Sequence, residues 1–351
     1  MIIVDAHEDL AFNALVDGRD YLQSAYVTRA AEEGSAIPEG VGICMLGLPE
    51  WLQARVAVIF ATLTTIPRAI ARQGELSYLN TEASHQQALA QLGIYRRWVA
   101  TSPAIRLITR QSHLNETLAT WEGEGVSLQV GLVLLMENAD SIRTTDEVGF
   151  WHEQGLRIIG PAWHSNRFTG SAIDGGPLTA QGRELLAAMG RLGMALDLSH
   201  MSEEACLEAL ATYTGPIMAS HANPQRMVPI PRLLSDRVIA GVAQRDGVIG
   251  VMPVNWALVP NWRQRAREEI TVDLVAEAID IVCQIAGDTR HVGLGTDFDG
   301  GQGAECAPIG IETVADLPQI ADVLERHGYQ ANDVAAILHG NWLRVLRQAL
   351  P

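Results

Sequence analysis

The chain has 351 residues, 48% of them hydrophobic, with a formal net charge of −16. That length and apolar share allow a large buried core, while the acidic balance argues against nucleic acid or an anionic membrane as partner, since both are recognised through basic patches. All 25 basic residues are arginine, so Schiff-base chemistry, a phosphate-loop lysine and a metal pair bridged by a carboxylated lysine are excluded.

Short apolar runs recur along the chain at Ile2–His7, Val41–Leu46, Val130–Glu137, Leu156–His164, Met194–His200, Pro216–His221, Val248–Val254 and His291–Asp297. Continuous rather than alternating apolar character fits parallel strands buried on both faces. Between the second and third runs, from Pro49 to Leu128, Leu52–Arg72 and Gln86–Val99 carry helical patterns and are read as an insertion. Further on, helical spacing marks Gly182–Leu192, Glu203–Ala211, Val272–Ala286 and Asp316–Glu325, the last with Asp316 as N-cap and Pro318 in the first turn. Asn332–Leu350 reads as a closing helix capped near Asn332 or Asp333. Eight strands alternating with helices predict an α/β fold, a (β/α)8 TIM-like barrel with a helical insertion after strand 2, spanning residues 1–351 as one domain.

Cys44, Cys206, Cys283 and Cys306 form no C-x-x-C pair and read as reduced or buried thiols. His7 leaves no room for a signal peptide, no apolar run approaches the roughly 20 residues of a membrane span, and no hydrophobic tail suggests a lipid anchor. A cytoplasmic protein is expected, and homodimerisation is left open.

In a barrel of this type, catalytic groups come from the C-terminal ends of several strands. The first run ends Asp5-Ala6-His7-Glu8-Asp9, and in extended chain His7 and Asp9 share one side. The third ends on Glu137, the fifth on Asp197-Leu198-Ser199-His200, the sixth on Ala219-Ser220-His221 and the eighth on Thr296-Asp297-Phe298-Asp299-Gly300. Taken singly, a histidine there is more often a hydrogen-bonded loop residue, and Asp297 or Asp299 beside Gly300 a turn former. Together they suit a pair of zinc ions: His7 and Asp9 on the first, Glu137 bridging, His200 and His221 on the second. Two Zn2+ about 3.5–4 Å apart can share a hydroxide and polarise a carbonyl. Asp297 is placed to take the nucleophile's proton and pass it to a leaving amine.

The segments GLRIIGPAWHSNRF and GGPLTAQGRELLAAMGRLGMALDLSH, within 155–200, together with SHANPQRMVPIPR (Ser220–Arg232), HVGLGTDFDG (His291–Gly300), GNWLRVL (Gly340–Leu346) and the opening DAHEDL, carry a resemblance. The chain resembles the membrane dipeptidase (renal dipeptidase) family of binuclear zinc peptidases, within the amidohydrolase superfamily. The resemblance implies the same metal ligands, His164 as the group that steadies the tetrahedral oxyanion, Arg232 as the grip on the substrate's C-terminal carboxylate, and Asp297 as the acid–base. It also implies dipeptide substrates, with a D-residue accepted on the C-terminal side. The chain departs from the family pattern in having Asn138 after Glu137 where glycine is usual, Val254-Asn255-Trp256 where Val-Asn-Phe is frequent, and no aromatic pair in Gly42-Ile43-Cys44-Met45.

The expected function is therefore metal-dependent hydrolysis of short dipeptides through a zinc-bridging hydroxide. The same site on another substrate, an N-acyl amino acid, lactam or lactone, is the alternative within the superfamily; a barrel that only binds would lack ligands that this sequence has. Deaminases of the superfamily carry H-x-H on the first strand, and His7-Glu8-Asp9 argues against one. Manganese or cobalt would suit the same histidine and carboxylate donors.

Overall fold

The structure, a computed structural model, describes residues 1–72, 75–123 and 127–351. The undescribed residues 73–74 and 124–126 both fall within the stretch expected to form the insertion. Eleven strands are described: β1 Ile3–Glu8, β2 Val56–Thr64, β3 Ile105–Leu107, β4 Val130–Glu137, β5 Leu156–Gly160, β6 Thr169–Ser171, β7 Gly175–Leu178, β8 Ala195–Asp197, β9 Ile217–Ala219, β10 Val248–Val251 and β11 Val292–Leu294. All pairings in the main sheet are parallel, in the order β2-β1-β11-β10-β9-β8-β5-β4, and β2 pairs with β4 to close an eight-stranded barrel. Short β3 pairs with the start of β4, Ile105 against Val130, and β6 and β7 form a separate antiparallel hairpin.

The apolar runs become strands because the barrel buries both of their faces. Every residue of β1, β2 and β4 is buried, and a parallel strand covered by helices outside and side chains inside tolerates few polar positions. The helices are started by short polar caps. Thr179 accepts from Gly182 N ahead of the helix Ala180–Arg191, Ser202 from Ala205 N ahead of Glu203–Thr212, and Ser235 from Val238 N ahead of Asp236–Gln244.

Two expectations are corrected. The second barrel strand is Val56–Thr64, inside a stretch read as helical, and Val41–Leu46 is not a strand. The segment Val-Ala-Val-Ile-Phe-Ala-Thr-Leu-Thr is an unbroken run rich in β-branched residues, and its apolar period is set by full burial rather than by a helical stripe. Cys44, Met45 and Leu46 are buried for a different reason: they pack under the loop after β11, where Ala304 N donates to Ile43 O, Met45 N to Asp299 Oδ1 and Val314 N to Met45 O. A largely helical stretch does follow strand 2, with helices Thr81–Thr101 and Gln111–Ala119 on either side of β3.

The second correction concerns a cap. Thr313, not Asp316, caps the turn Val314–Asp316, while Asp316 reaches back to the Thr313 N–H in a capping box; the helix Gln319–Arg326 follows. The closing segment is helical from Ala331 to Ala349, with a π-helical turn at Ala336–Gly340.

Candidate metal centre

Most of the barrel strands stop short of their apolar runs, so several site residues sit one to three positions beyond a strand end. β8 ends at Asp197 and His200 follows on the loop; β9 ends at Ala219, ahead of Ser220 and His221; β11 ends at Leu294, ahead of Asp297. His7 and Glu137 lie within their strands and Asp9 directly after one. The loops turn sharply here. Asn138, His200, Asp297 and Asp299, at φ 74°, 65°, 56° and 60°, are among the few described non-glycine residues with positive φ, a backbone cost that clusters at functional sites.

The structure brings His7, Asp9, Glu137, His200, His221 and Asp297 together. Glu137 Oε1 lies 3.6 Å from His7 Nε2, 3.1 Å from His200 Nε2 and 3.5 Å from His221 Nε2. The two nitrogens of His200 and His221 stand 2.9 Å apart, and His7 Nε2 is 3.9 Å from Asp9 Oδ1. Donor atoms of His7, Glu137 and His221, and separately those of His7, Asp9 and Asp297, lie close enough to share one ion. Among the described residues, His7 Nε2 and Glu137 Oε1 are buried without a hydrogen-bond partner. Unpartnered buried acceptors are costly, and a cation between them removes that cost, so the residues fit a metal centre.

The imidazoles are oriented by Ser220. Its hydroxyl is 2.5 Å from Asp197 Oδ2, 3.1 Å from His7 Nδ1 and 2.7 Å from His221 Nδ1. A hydroxyl has one proton and two lone pairs. With the proton given to Asp197, both lone pairs accept Nδ1–H groups, which leaves His7 Nε2 and His221 Nε2 bare toward the centre. Asp197 also accepts from Ser199 N and Ser220 N. Gly250 and Gly295 allow this loop to close: a Cβ on either would stand within 2 Å of Ser220 O. On the other side, Thr62 and Thr64 hydroxyls hold Asp9 Oδ1 at 2.5 and 2.8 Å.

Electrostatics separate the donors. Burial pushes His200 and His221 well below the ordinary histidine range, helped by Arg232 and by His7. Burial likewise pushes Glu137 up to about 8 and Asp297 well above the carboxylate range, with neighbouring Asp9 adding to both.

Arg232 stands at the edge of the centre. Its Nη2 is 3.1 Å from His200 Nε2 and 3.2 Å from His221 O, and its Nη1 is buried without a partner among the described residues. His164, on the loop after β5, lies outside the donor cluster, with Nδ1 2.9 Å from Asp174 Oδ2 on the β6–β7 hairpin. Next to Asp9 and Thr64 a cavity of about 140 Å³ is walled by Phe12, Ile66 and Trp163. Sequence reasoning missed Ser220, Thr62, Thr64 and Asp174. The two threonines end the β-branched apolar run Val56–Thr64, whose lack of alternation hid the strand; the role of Ser220 depends on a contact with His7, 213 residues away in the chain.

An eight-stranded parallel barrel that gathers imidazole and carboxylate donors at and just beyond its strand ends is the framework of a metal-dependent enzyme. Residues 1–350 match the membrane dipeptidase family, peptidase family M19, and the chain belongs to that family of metallo-dipeptidases. A protein from the pqqA 5' region of Klebsiella pneumoniae is 35% identical over 207 residues, 56% of this chain and 73% of that one. An uncharacterized dipeptidase of Schizosaccharomyces pombe is 29% identical over 264 residues; the match takes in 74% of this chain and spans 61% of the length of that relative. The fold is also that of a metallopeptidase from Rhodobacter sphaeroides, crystallised with a phosphinate mimic of the dipeptide L-Ala-D-Ala (TM-score 0.80, 24% identity, 99% of both chains covered). No described helix is long and apolar enough to cross a membrane.

Proposed function

We propose that the chain hydrolyses the peptide bond of short dipeptides, L-Xaa-D-Xaa among them, with two divalent cations, zinc in the first instance. The observation that carries this reading is the convergence of three imidazole Nε2 atoms on one buried oxygen of Glu137. His7 and Asp9 would hold one ion, His200 and His221 the other, with Glu137 shared. When bound, the ions supply Lewis acidity toward the scissile carbonyl and toward water.

The chain's own groups supply the rest. Arg232, with an unpartnered buried N–H beside the centre, pairs with the substrate's C-terminal carboxylate. That choice sends the N-terminal residue toward the Asp9 side, where Phe12, Ile66 and Trp163 offer apolar walls. Asp297 accepts a proton from water as the C–O bond forms, then delivers it to the amine as the C–N bond breaks. His164 offers a hydrogen bond to the carbonyl oxygen as negative charge develops there. The bound dipeptide mimic of the Rhodobacter relative supports a dipeptide over other amides. A cytoplasmic setting goes with four unpaired, buried cysteines.

The test is hydrolysis of a panel of L,L and L,D dipeptides by purified, zinc-loaded protein, followed with ninhydrin, with and without a chelator. Cleavage that the chelator abolishes supports the reading. No cleavage with two ions bound per chain overturns it.

A further inference from the structure

Gln302, on the loop after β11, makes a contact that the reaction described above leaves unused. Its Nε2 donates to Asp297 Oδ2 at 2.9 Å, and its Oε1 accepts the indole Nε1–H of Trp256 at 2.6 Å. An indole N–H only donates, so it must face the amide oxygen. That leaves the NH2 end of the amide toward Asp297, and the two ends are no longer interchangeable. The partners come from separate elements: Trp256 lies in the short helix Asn255–Leu258 after β10.

The surroundings make this arrangement stiff. The Gln302 loop is tied to the segment before β2 by Ala304 N to Ile43 O at 3.1 Å and Ile43 N to Glu305 Oε2 at 3.0 Å. The Trp256 turn is tied to the same loop by Asn255 Nδ2 to Ala307 O at 3.1 Å. Asp297 has a left-handed backbone, and its N–H donates to His7 O. Its Oδ1 lies over Gly300, where a Cβ would come within 2.2 Å.

We propose that Gln302 and Trp256 are positioning residues for Asp297. The indole sets the amide, and the amide holds the carboxylate by Oδ2, which fixes its rotation about Cβ–Cγ. This inference rests on the dipeptidase reading, with Asp297 as the proton carrier. A carboxylate free to rotate would meet the reacting atoms in the correct geometry less often, and small misplacements cost rate rather than binding.

The variants are Trp256→Phe, which keeps the ring and removes the N–H, Gln302→Met, which keeps length and removes the amide, and the double variant. On a cleaved dipeptide, kcat is expected to fall about tenfold in Gln302→Met and about threefold in Trp256→Phe, with KM within about twofold and bound metal unchanged by elemental analysis. The double variant is expected to be no slower than Gln302→Met, because the indole acts only through the amide. Wild-type kcat in Trp256→Phe, additive losses in the double variant, or loss of metal in step with activity would each overturn the proposal. Should Gln302→Met not fold, Gln302→Glu replaces it, with an expected kcat loss at least as large. A readout without substrate keeps the two readings apart: the indole N–H resonance of Trp256, identified by its loss in Trp256→Phe, should shift in the Gln302 variant. If the wild type cleaves no dipeptide, the function fails at that arm; an unshifted resonance overturns the contact itself.

Discussion

Ser220 shows how a residue with no catalytic chemistry of its own can order a candidate metal centre. One hydroxyl between Asp197, His7 and His221 sets the tautomer of two imidazoles at once. Ser220→Ala is therefore expected to weaken metal binding about 10- to 100-fold while leaving the ligands in place, read by competition with a chromogenic chelator. Asp297→Asn should retain metal and lose about 10²- to 10⁴-fold in kcat, since the amide cannot carry a proton; turnover close to wild type would remove Asp297 from the proton path. Arg232→Ala should act mainly on KM, raising it about 10- to 150-fold, the worth of about 1.5–3 kcal/mol for hydrogen bonds to a charged group. An equal KM for substrates with and without a C-terminal carboxylate, in the unaltered protein, would refute that grip.

At the scale of elements, the departure from the family pattern after Glu137 has a physical reading. Asn138 sits at φ 74° and ψ 101°, outside the left-handed helical basin and reached without strain by glycine. Its side chain then uses the position: Nδ2 donates to Thr65 O and to Tyr78 OH, both at 2.9 Å, and Oδ1 accepts from Asp140 N and Asn166 Nδ2. Asn138→Val should lower stability by about 1–3 kcal/mol from the backbone conformation alone, and Asn138→Gly by less, as measured by chemical denaturation. Strand β4, its terminal glutamate and the histidines after β8 and β9 were legible because unbroken apolar runs ending in a polar residue leave little else to form. β2 was not: a strand buried on both faces has no alternation, and over nine residues its apolar content matches a buried helix as well. The cost of that misreading reached the site, since Thr62 and Thr64, which hold Asp9, belong to β2.

Across the whole molecule, a cation at the candidate centre would couple metal binding to protonation and to folding. In the metal-free protein burial raises Glu137 to about 8 from an ordinary 4.5. The native state therefore binds more protons than the unfolded chain between those values, and this contribution to metal-free stability declines as pH rises through that window. A cation favours the ionised carboxylate, so the gap in Tm between metal-loaded and chelator-treated protein should widen as pH rises from about 5 to about 8. A gap independent of pH would show that Glu137 is already ionised without metal. The amino-acid sequence alone determined the barrel class and named His7, Asp9, Glu137, His200, His221 and Asp297, which the structure brings together, because burial on both faces and a polar residue closing an apolar run are properties of short segments. Only the tertiary structure decided which strand is second, that one serine orients two histidines, and that Trp256 and Gln302 stand behind Asp297. Those facts depend on contacts between residues up to 213 positions apart, and such contacts exist only once the barrel has closed.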